Sequence, residues 1–254
     1  MGWLEDYSDV VPCRNCGSER YRRVEVALGN QPLANGFAES AAEAVGAPRY
    51  PLAAGKCPDC GLVQLYRRPP VDPFGPEYPF RQGTSKTWVA HLNEFIAGYC
   101  GGILPSTALD IGANDGTLVE LMAAVGIDTW GVDPSPQTRN GRVGQGHFGR
   151  EWAGETWDIE PLDLITAFNV LAHVSDLDDF LGGVTMLLAP TGRFVVEVPD
   201  WRRSSWDQVY HEHQSYFDGF TLFDALTRRG LKVLKLEEID THGGSLRATC
   251  HRAP

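Results

Sequence analysis

From Thr107 onward the chain alternates between two hydrophobic patterns. Apolar runs of four to eight residues alternate with stretches whose apolar positions recur at three- and four-residue intervals. The first run is Ala108, Leu109 and Ile111, and a helical spacing follows over 117–125. A second run covers 129–132, and a third, PLDLITAF, covers 161–168 and leads into a helix over 174–188. Residues 193–198 (RFVVEV) form an apolar strand that opens into Pro199. A helix over 217–229 precedes two last strands, 232–237 and 246–251. The THGGS segment between those two suits an antiparallel return at a sheet edge. Six strands are legible in this way, and a seventh is placed near 144–148. Buried runs between helices mark a parallel sheet covered on both faces.

Upstream, residues 83–98 (GTSKTWVAHLNEFIAG) place Trp88, Leu92, Phe95 and Ile96 on one helical face, with Thr84 or Ser85 as the cap. Before that helix runs a proline-rich connector over 67–80 (RRPPVDPFGPEYPF), which excludes a regular helix or a central strand. Tyr78 in this connector either folds over a site as part of a lid or anchors a surface loop.

The first 70 residues have a different character. Cys13-Arg-Asn-Cys16-Gly17 and Cys57-Pro-Asp-Cys60-Gly61 are two tight knuckles, each with a glycine after its second thiol. Four thiolates are the number that closes a tetrahedral structural zinc site and leaves no open position for water. Four unrelated buried or redox cysteines are the alternative, but duplicated knuckles favour zinc. Between the knuckles lies LGNQPLANGF, a Gly- and Pro-punctuated piece placed on the surface of the next domain. The expected organisation is a zinc-binding unit (1–70), a connector and helix (71–106) and a Rossmann-like α/β domain (107–254).

Composition narrows the partners. The 254 residues are 43% hydrophobic and 22% charged, which is ordinary for a globular chain. With 22 basic and 33 acidic residues the formal charge is −11, a field that repels a phosphate backbone, and no Lys/Arg run relieves it. A nucleic-acid partner is therefore not expected. The acidic opening MGWLEDYSDV is no signal peptide, Asp6 excludes myristoylation at Gly2, and no run reaches the length of a membrane span. A cytoplasmic chain without membrane partner is expected.

Candidate chemistry begins at the turn Asp110-Ile111-Gly112-Ala113-Asn114-Asp115-Gly116. A dinucleotide fingerprint requires glycine where Asn114 stands, so that backbone can approach a pyrophosphate. Asp110 and Asp115 flank the turn and suit a cationic sulfonium and its ammonium group better than a diphosphate. Asp133, at the end of the second strand, is placed to accept from ribose hydroxyls; a helix cap before Pro134 is its alternative. S-Adenosylmethionine is the expected cofactor. Asn169 and His173, just past the fourth strand, border the same pocket.

The densest functional stretch runs from Asp207 to Phe217 and contains Tyr210, His211, Glu212 and His213. One reading makes a histidine a general base oriented by Glu212, with Tyr210 stabilising negative charge. A second gives His211, Glu212 and His213 a catalytic metal. A third treats them as polar residues satisfying a buried turn.

In order along the chain, the paired knuckles, LGNQPLANGF, CPDCGLVQL, LDIGANDGTL, FNVLAHVSDLDDF, EVPD, VYHEHQSYF and THGGSLR resemble the sugar C-methyltransferases of antibiotic deoxysugar pathways. The resemblance covers nearly the whole chain. It implies a class I methyltransferase fold with a small zinc-binding domain, S-adenosylmethionine as cofactor, and a thymidine-diphosphate-linked 4-keto-deoxysugar methylated at C-3. It also implies His213 as the base, assisted by Tyr210 and Glu212, with His173 near the sugar and Tyr78 in a lid. That family carries a further C-terminal domain beyond THGGSLR, whereas this sequence stops at Pro254. A second subunit or a partner protein is expected to supply the missing wall. Otherwise the acceptor is a different small molecule, methylated at oxygen or rearranged by the same base. A scaffold without catalysis is the remaining alternative.

Overall fold

The computed structural model describes residues 11–20, 23–70, 72, 74, 78–99, 104–136, 138, 141–156, 160–203 and 208–253. The expectations for the first ten residues, and Asp207, lie outside the described residues. Chain order begins with β1 (Arg23–Gln31), α1 (Ala41–Gly46), β2 (Tyr50–Lys56) and β3 (Val63–Leu65). A single 3-10 turn at Gln82–Thr84 then leads into α2 (Lys86–Tyr99). The second half contains β4 (Thr107–Ile111), α3 (Thr117–Ala124), β5 (Asp128–Asp133), β6 (Val143–Gln145), α4 (Arg150–Thr156) and β7 (Leu162–Phe168). It closes with α5 (Leu177–Leu187), β8 (Leu188–Pro199), β9 (Ser215–Tyr216), α6 (Gly219–Thr227), β10 (Leu231–Ile239) and β11 (Ser245–Arg252).

The large sheet has seven strands in the order β10-β11-β8-β7-β4-β5-β6. Strands β8, β7, β4, β5 and β6 are parallel, and β11 runs antiparallel to both β8 and β10. The edge return read from THGGS is therefore present. On one face Trp88, Leu92, Phe95 and Ile96 of α2 pack with α3 against Leu164 and Val195. On the other, α5 and α6 bury Leu181, Val184, Leu222 and Leu226 against Ile165, Phe194 and Val196. The apolar runs are continuous because both faces are covered.

Caps explain where the boundaries differ from the periodicity. The helix expected from 174 starts at Leu177, because the Asp176 side chain accepts from the amides of Asp178 and Asp179. Likewise α6 starts after Asp218, which forms a capping box with Thr221. Ser85, one of two cap candidates for α2, accepts from the Trp88 amide at 3.3 Å. Within α2, His91 Nε2 lies 2.9 Å from Glu197 Oε2, and Arg247 Nε donates to Glu197 Oε1 at 2.6 Å. Glu197 is fully buried on β8, so this cluster fastens α2 to the sheet.

A second sheet has the order β1-β2-β3-β9. Its last strand comes from Ser215 and Tyr216, with Val63 opposite Tyr216 and Gln64 opposite Ser215. The stretch carrying Tyr210, His211, Glu212 and His213 is thus hung between the two sheets. LGNQPLANGF does not simply cover a surface. Its first residues belong to β1, and Asn35 reaches inward to Glu212. Among the described residues, no helix is long and apolar enough to cross a membrane.

Candidate functional site

The two knuckles fold alike. The Gly17 amide donates to the Cys13 carbonyl at 2.7 Å and the Gly61 amide to the Cys57 carbonyl at 3.0 Å. Both glycines have φ near the left-handed region (+71° and +81°), which a side chain disfavours. The result brings the Sγ atoms of Cys13, Cys16, Cys57 and Cys60 within 4.8 Å of one another. Cys13 and Cys60 are 3.5 Å apart, and Cys16 and Cys57 are 3.7 Å apart. A tetrahedron of Zn–S bonds about 2.3 Å long separates its ligands by about 3.8 Å, so the four thiols fit zinc. Among the described residues no other such cluster of metal ligands occurs.

At the carboxyl ends of the parallel strands lies a cavity of about 910 Å³. Ligand pockets span about 300–1,000 Å³, so this one has room for a cofactor and an acceptor. Gly112, Asn114 and Asp133 line one side of it. Gly112 has φ +75°, and a Cβ placed there would sit 2.3 Å from Val170 Cγ2. Asp133 accepts from the amides of Asn114 (3.0 Å) and Ser135 (2.7 Å), which hold its carboxylate at the cavity wall. Asn114 adopts φ +52°, a conformation that asparagine tolerates better than most residues. Its side chain binds the connector, donating to the Phe80 carbonyl at 2.9 Å and accepting from the Gln82 amide at 3.0 Å. That is the structural use of an asparagine where a dinucleotide fold has glycine.

The two flanking acids are placed otherwise than the charge argument implies. Asp110 is buried and accepts from Thr166 Oγ1 at 2.7 Å, and it does not line the cavity. Burial pushes its carboxyl up to about 7, so it is a poor fixed counter-charge for a sulfonium. Asp115 also stays off the cavity wall, accepting from the Gly83 amide at 2.7 Å and Thr117 Oγ1 at 2.6 Å. Gly116 caps α3 at φ +79°, close to Val143 and Thr138.

Facing Asp133 are Asn169, His173, Tyr210, His213 and Tyr78, all lining the same cavity. His213 Nδ1 donates to the Gln208 carbonyl at 3.0 Å, since a carbonyl can only accept. Its Nε2 is left to accept from the Tyr210 hydroxyl at 3.0 Å. Burial, reinforced by nearby His173, holds the His213 ring well below its ordinary value, so the ring is neutral at pH 7. His173 Nδ1 donates to the Glu212 carbonyl at 2.9 Å, and its ring centroid lies 4.7 Å from that of His213. Burial and then the charges of Glu212 and Asp133 push the Tyr78 hydroxyl up to about 12.

Glu212 does not orient the His213 ring; the Gln208 carbonyl does. The Glu212 carboxylate is fully buried, accepts from Asn35 Nδ2 at 3.2 Å, and stays off the cavity wall. His211 points the other way, donating through Nε2 to the Tyr50 carbonyl at 3.2 Å. A shared metal on His211, Glu212 and His213 is not formed by this arrangement.

Residues 85–236 match a sequence family described as "Methyltransferase domain", and residues 13–73 match one described as "Putative zinc binding domain". The chain belongs to the methyltransferase-domain family. Against individual proteins, the methyltransferase is 29% identical to the C-methyltransferase NovU of Streptomyces niveus, over 93% of this chain and 60% of that protein. It thus spans under two thirds of that relative's length. A ubiquinone biosynthesis O-methyltransferase of Methylobacterium sp. (strain 4-46) is 33% identical over 35% of this chain and 39% of its own. Among solved structures, the Burkholderia thailandensis 1,6-didemethyltoxoflavin-N1-methyltransferase superposes with a TM-score of 0.51 at 19% identity. That match covers 78% of this chain and 98% of that one. An S-adenosylmethionine-dependent methyltransferase from Clostridium acetobutylicum gives 0.50 at 13% identity, over 65% of this chain and 92% of that one. These likenesses establish the class I S-adenosylmethionine-dependent methyltransferase fold.

The cavity of the methyltransferase fits that cofactor on its own evidence. Asn169 Oδ1 is buried without a hydrogen-bond partner on the cavity wall, an acceptor awaiting a donor such as an ammonium group. Asn169 also has φ +57°, so the strand end is bent to present it. Asn35, Gln208 and Gln82 are among the lining residues to which the sequence assigns no role. Asn35 sits far away in the chain, Gln208 acts through its backbone, and Gln82 docks on the Gly112 carbonyl at 3.3 Å. Asn35 falls inside the LGNQPLANGF stretch and Gln208 inside the stretch from 207 to 217, whereas Gln82 falls in neither.

Two expectations follow for this site. Gly112→Ala forces a left-handed alanine at about 1–2 kcal/mol and drives its methyl into Val170. Calorimetry with S-adenosylmethionine should show about 5- to 30-fold weaker binding, each tenfold step being about 1.4 kcal/mol. The second concerns pH. Because the folded His213 value is depressed below the ordinary 6.5, the acidic limb of kcat/KM should fall below pH 6.5. In that window the unfolded chain holds a proton on this ring that the folded chain lacks, so His213 subtracts stability as pH falls. Asp110 acts oppositely: its contribution is full below 3.8 and lost as pH rises through about 7. A pH-rate profile and an NMR titration of the His213 ring check the acidic limb, and unfolding midpoints of wild type, His213→Ala and Asp110→Asn across pH 3–8 check the two stability signs.

Proposed function

We propose that this methyltransferase is a C-methyltransferase that deprotonates carbon next to a ketone, with His213 as the general base. The observation that carries the reading is the neutral His213 ring, whose Nε2 faces only the Tyr210 hydroxyl on the wall of the cavity. A ketone oxygen entering the cavity competes for the Tyr210 hydrogen, and its capture frees the Nε2 lone pair for the α-proton. Tyr210 then donates to the developing enolate oxygen. His173 is less suited to that task, because its Nδ1 proton is held by the Glu212 carbonyl and burial keeps the ring neutral. S-Adenosylmethionine, when bound, supplies the electrophilic methyl group. Gly112, Asp133 and Asn169 would hold it, Asp133 accepting from the ribose and Asn169 from the amino group. Tyr78, beside Phe74, closes the acceptor side and excludes water.

Carbon is favoured over oxygen as the acceptor because the similarity to the C-methyltransferase spans 93% of the chain, whereas that to the ubiquinone O-methyltransferase spans 35%. The preferred acceptor class is a nucleotide-linked 4-keto-deoxysugar, with Arg68, the one Arg or Lys among the described lining residues, available to a diphosphate. The test is incubation with a thymidine-diphosphate-linked 4-keto-deoxysugar in deuterated water, with S-adenosylhomocysteine in place of the methyl donor. Deuterium should enter beside the ketone, and supplying S-adenosylmethionine should give a carbon-methylated product. Methylation at oxygen without exchange overturns the reading. Exchange with configurational change and no methylation points to isomerisation instead.

A further inference from the structure

The residues inside the first zinc knuckle do more than space its thiols. Arg14, between Cys13 and Cys16, is buried, and its guanidinium extends out of the knuckle to Gln214, next in sequence to His213. Its Nη2 donates to Gln214 Oε1 at 2.9 Å, and its Nη1 donates to the Gln214 carbonyl at 3.2 Å. The same Nη1 lies 3.4 Å from the Leu65 carbonyl, so one side chain joins knuckle, β3 and the catalytic stretch. The Arg14 amide is fixed in turn by Gln64 Oε1 at 2.8 Å.

Gln214 is the hub of this arrangement. Its amide donates to the Ala172 carbonyl at 2.7 Å, beside His173, and its carbonyl accepts from the Leu65 amide at 3.1 Å. Its side-chain nitrogen donates to the His211 carbonyl at 3.1 Å, which closes the turn around His213. From the other side α6 grips the knuckle. Asn15 donates to Asp224 at 2.8 Å, and Arg229 donates to the Arg14 carbonyl at 3.0 Å. Four thiolates around a divalent ion leave a net negative complex, against which a buried arginine in the same knuckle is a favourable counter-charge.

We propose that Arg14 is a positioning residue: through Gln214 it transmits the fixed geometry of the zinc knuckle to the His213–His173 pair. A planar fork that reaches side chain and carbonyl of one residue sets both its distance and its orientation. The proposal rests on the reading of His213 as the base. Misplacing a catalytic group by about 1 Å can cost about 100-fold in rate, so a small slackening suffices.

The test is Arg14→Met in the zinc-loaded chain, with Arg14→Lys beside it. Zinc content and S-adenosylmethionine affinity are measured on each, along with turnover and the His213 ring titration by NMR. The expected result for Arg14→Met is one zinc per chain, cofactor affinity within about twofold of wild type, and turnover reduced about 10- to 100-fold. Its His213 titration should move upward toward the ordinary histidine value as the turn loosens and admits water. Arg14→Lys keeps the charge but not the fork and should restore part of both. A zinc-loaded Arg14→Met with wild-type turnover and wild-type His213 titration overturns the proposal. If Arg14→Met does not fold, Arg14→Lys decides alone: a shifted His213 titration supports coupling and an unshifted one overturns it. The titration does not need turnover. A His213 variant that stays active would refute the base assignment while leaving the Arg14 coupling measurable.

Discussion

His213→Ala is expected to lose about 10²- to 10⁴-fold in turnover while binding S-adenosylmethionine normally, the range that a positioned general base contributes. The ring sits on the cavity wall with its Nε2 toward Tyr210, and its Nδ1 proton is held by the Gln208 carbonyl. Tyr210→Phe should cost less, about 10- to 100-fold, because it removes a donor to the enolate but leaves the base free. Single-turnover kinetics separate these effects from binding, and deuterium exchange adds a readout upstream of methyl transfer. Wild-type exchange in His213→Ala would sink the base assignment outright.

The second large effect is expected at the metal. A structural zinc site contributes about 10–16 kcal/mol to folding, comparable to the whole stability of about 5–15 kcal/mol typical of a domain. Cys57 is buried, and the Sγ atoms of Cys13, Cys16 and Cys60 lie within 4.8 Å of one another and of its own. Cys57→Ser should therefore abolish zinc binding and unfold β1, β2 and β3. Since β9 pairs only with β3 in that sheet, the stretch carrying His213 should loosen too. Turnover should fall below detection while the seven-stranded sheet retains measurable cofactor binding. Metal analysis, circular dichroism and calorimetry on one preparation check this, and a zinc-free variant that still turns over would contradict it.

Much of this is legible in the sequence. The parallel strands β4, β5, β7 and β8 are mostly buried, so each shows in the sequence as a short, predominantly apolar run interrupted by an acid or a threonine. The knuckles announce themselves by spacing. The small sheet does not, because β1 is only half-buried and its register shifts twice, which breaks the alternation expected of a strand. Strand β9 has two residues, too few for any pattern. The site divides along a similar line. Tyr210, His213, His173, Tyr78, Asp133, Asn114, Asn169 and Gly112 do converge on one cavity. Asp110 and Asp115 do not, because a sequence shows a carboxylate's charge but not whether Thr166 or the Gly83 amide has already taken it. Gln208 lies inside the functional stretch, but its role is hidden because its contribution is a carbonyl that every residue carries.

The pairing of β3 with β9 also has a consequence for synthesis. Both knuckles and the first three strands leave the ribosome early, whereas the residues that cover the free edge of β3 follow about 150 residues later. At about 5–20 residues per second, that edge waits roughly 8–30 s for its partner. If β1, β2 and β3 pair as they emerge, the β3 edge that β9 later covers stays unpaired throughout this interval. Slower elongation lengthens that interval and is thus expected to favour aggregation of nascent chains.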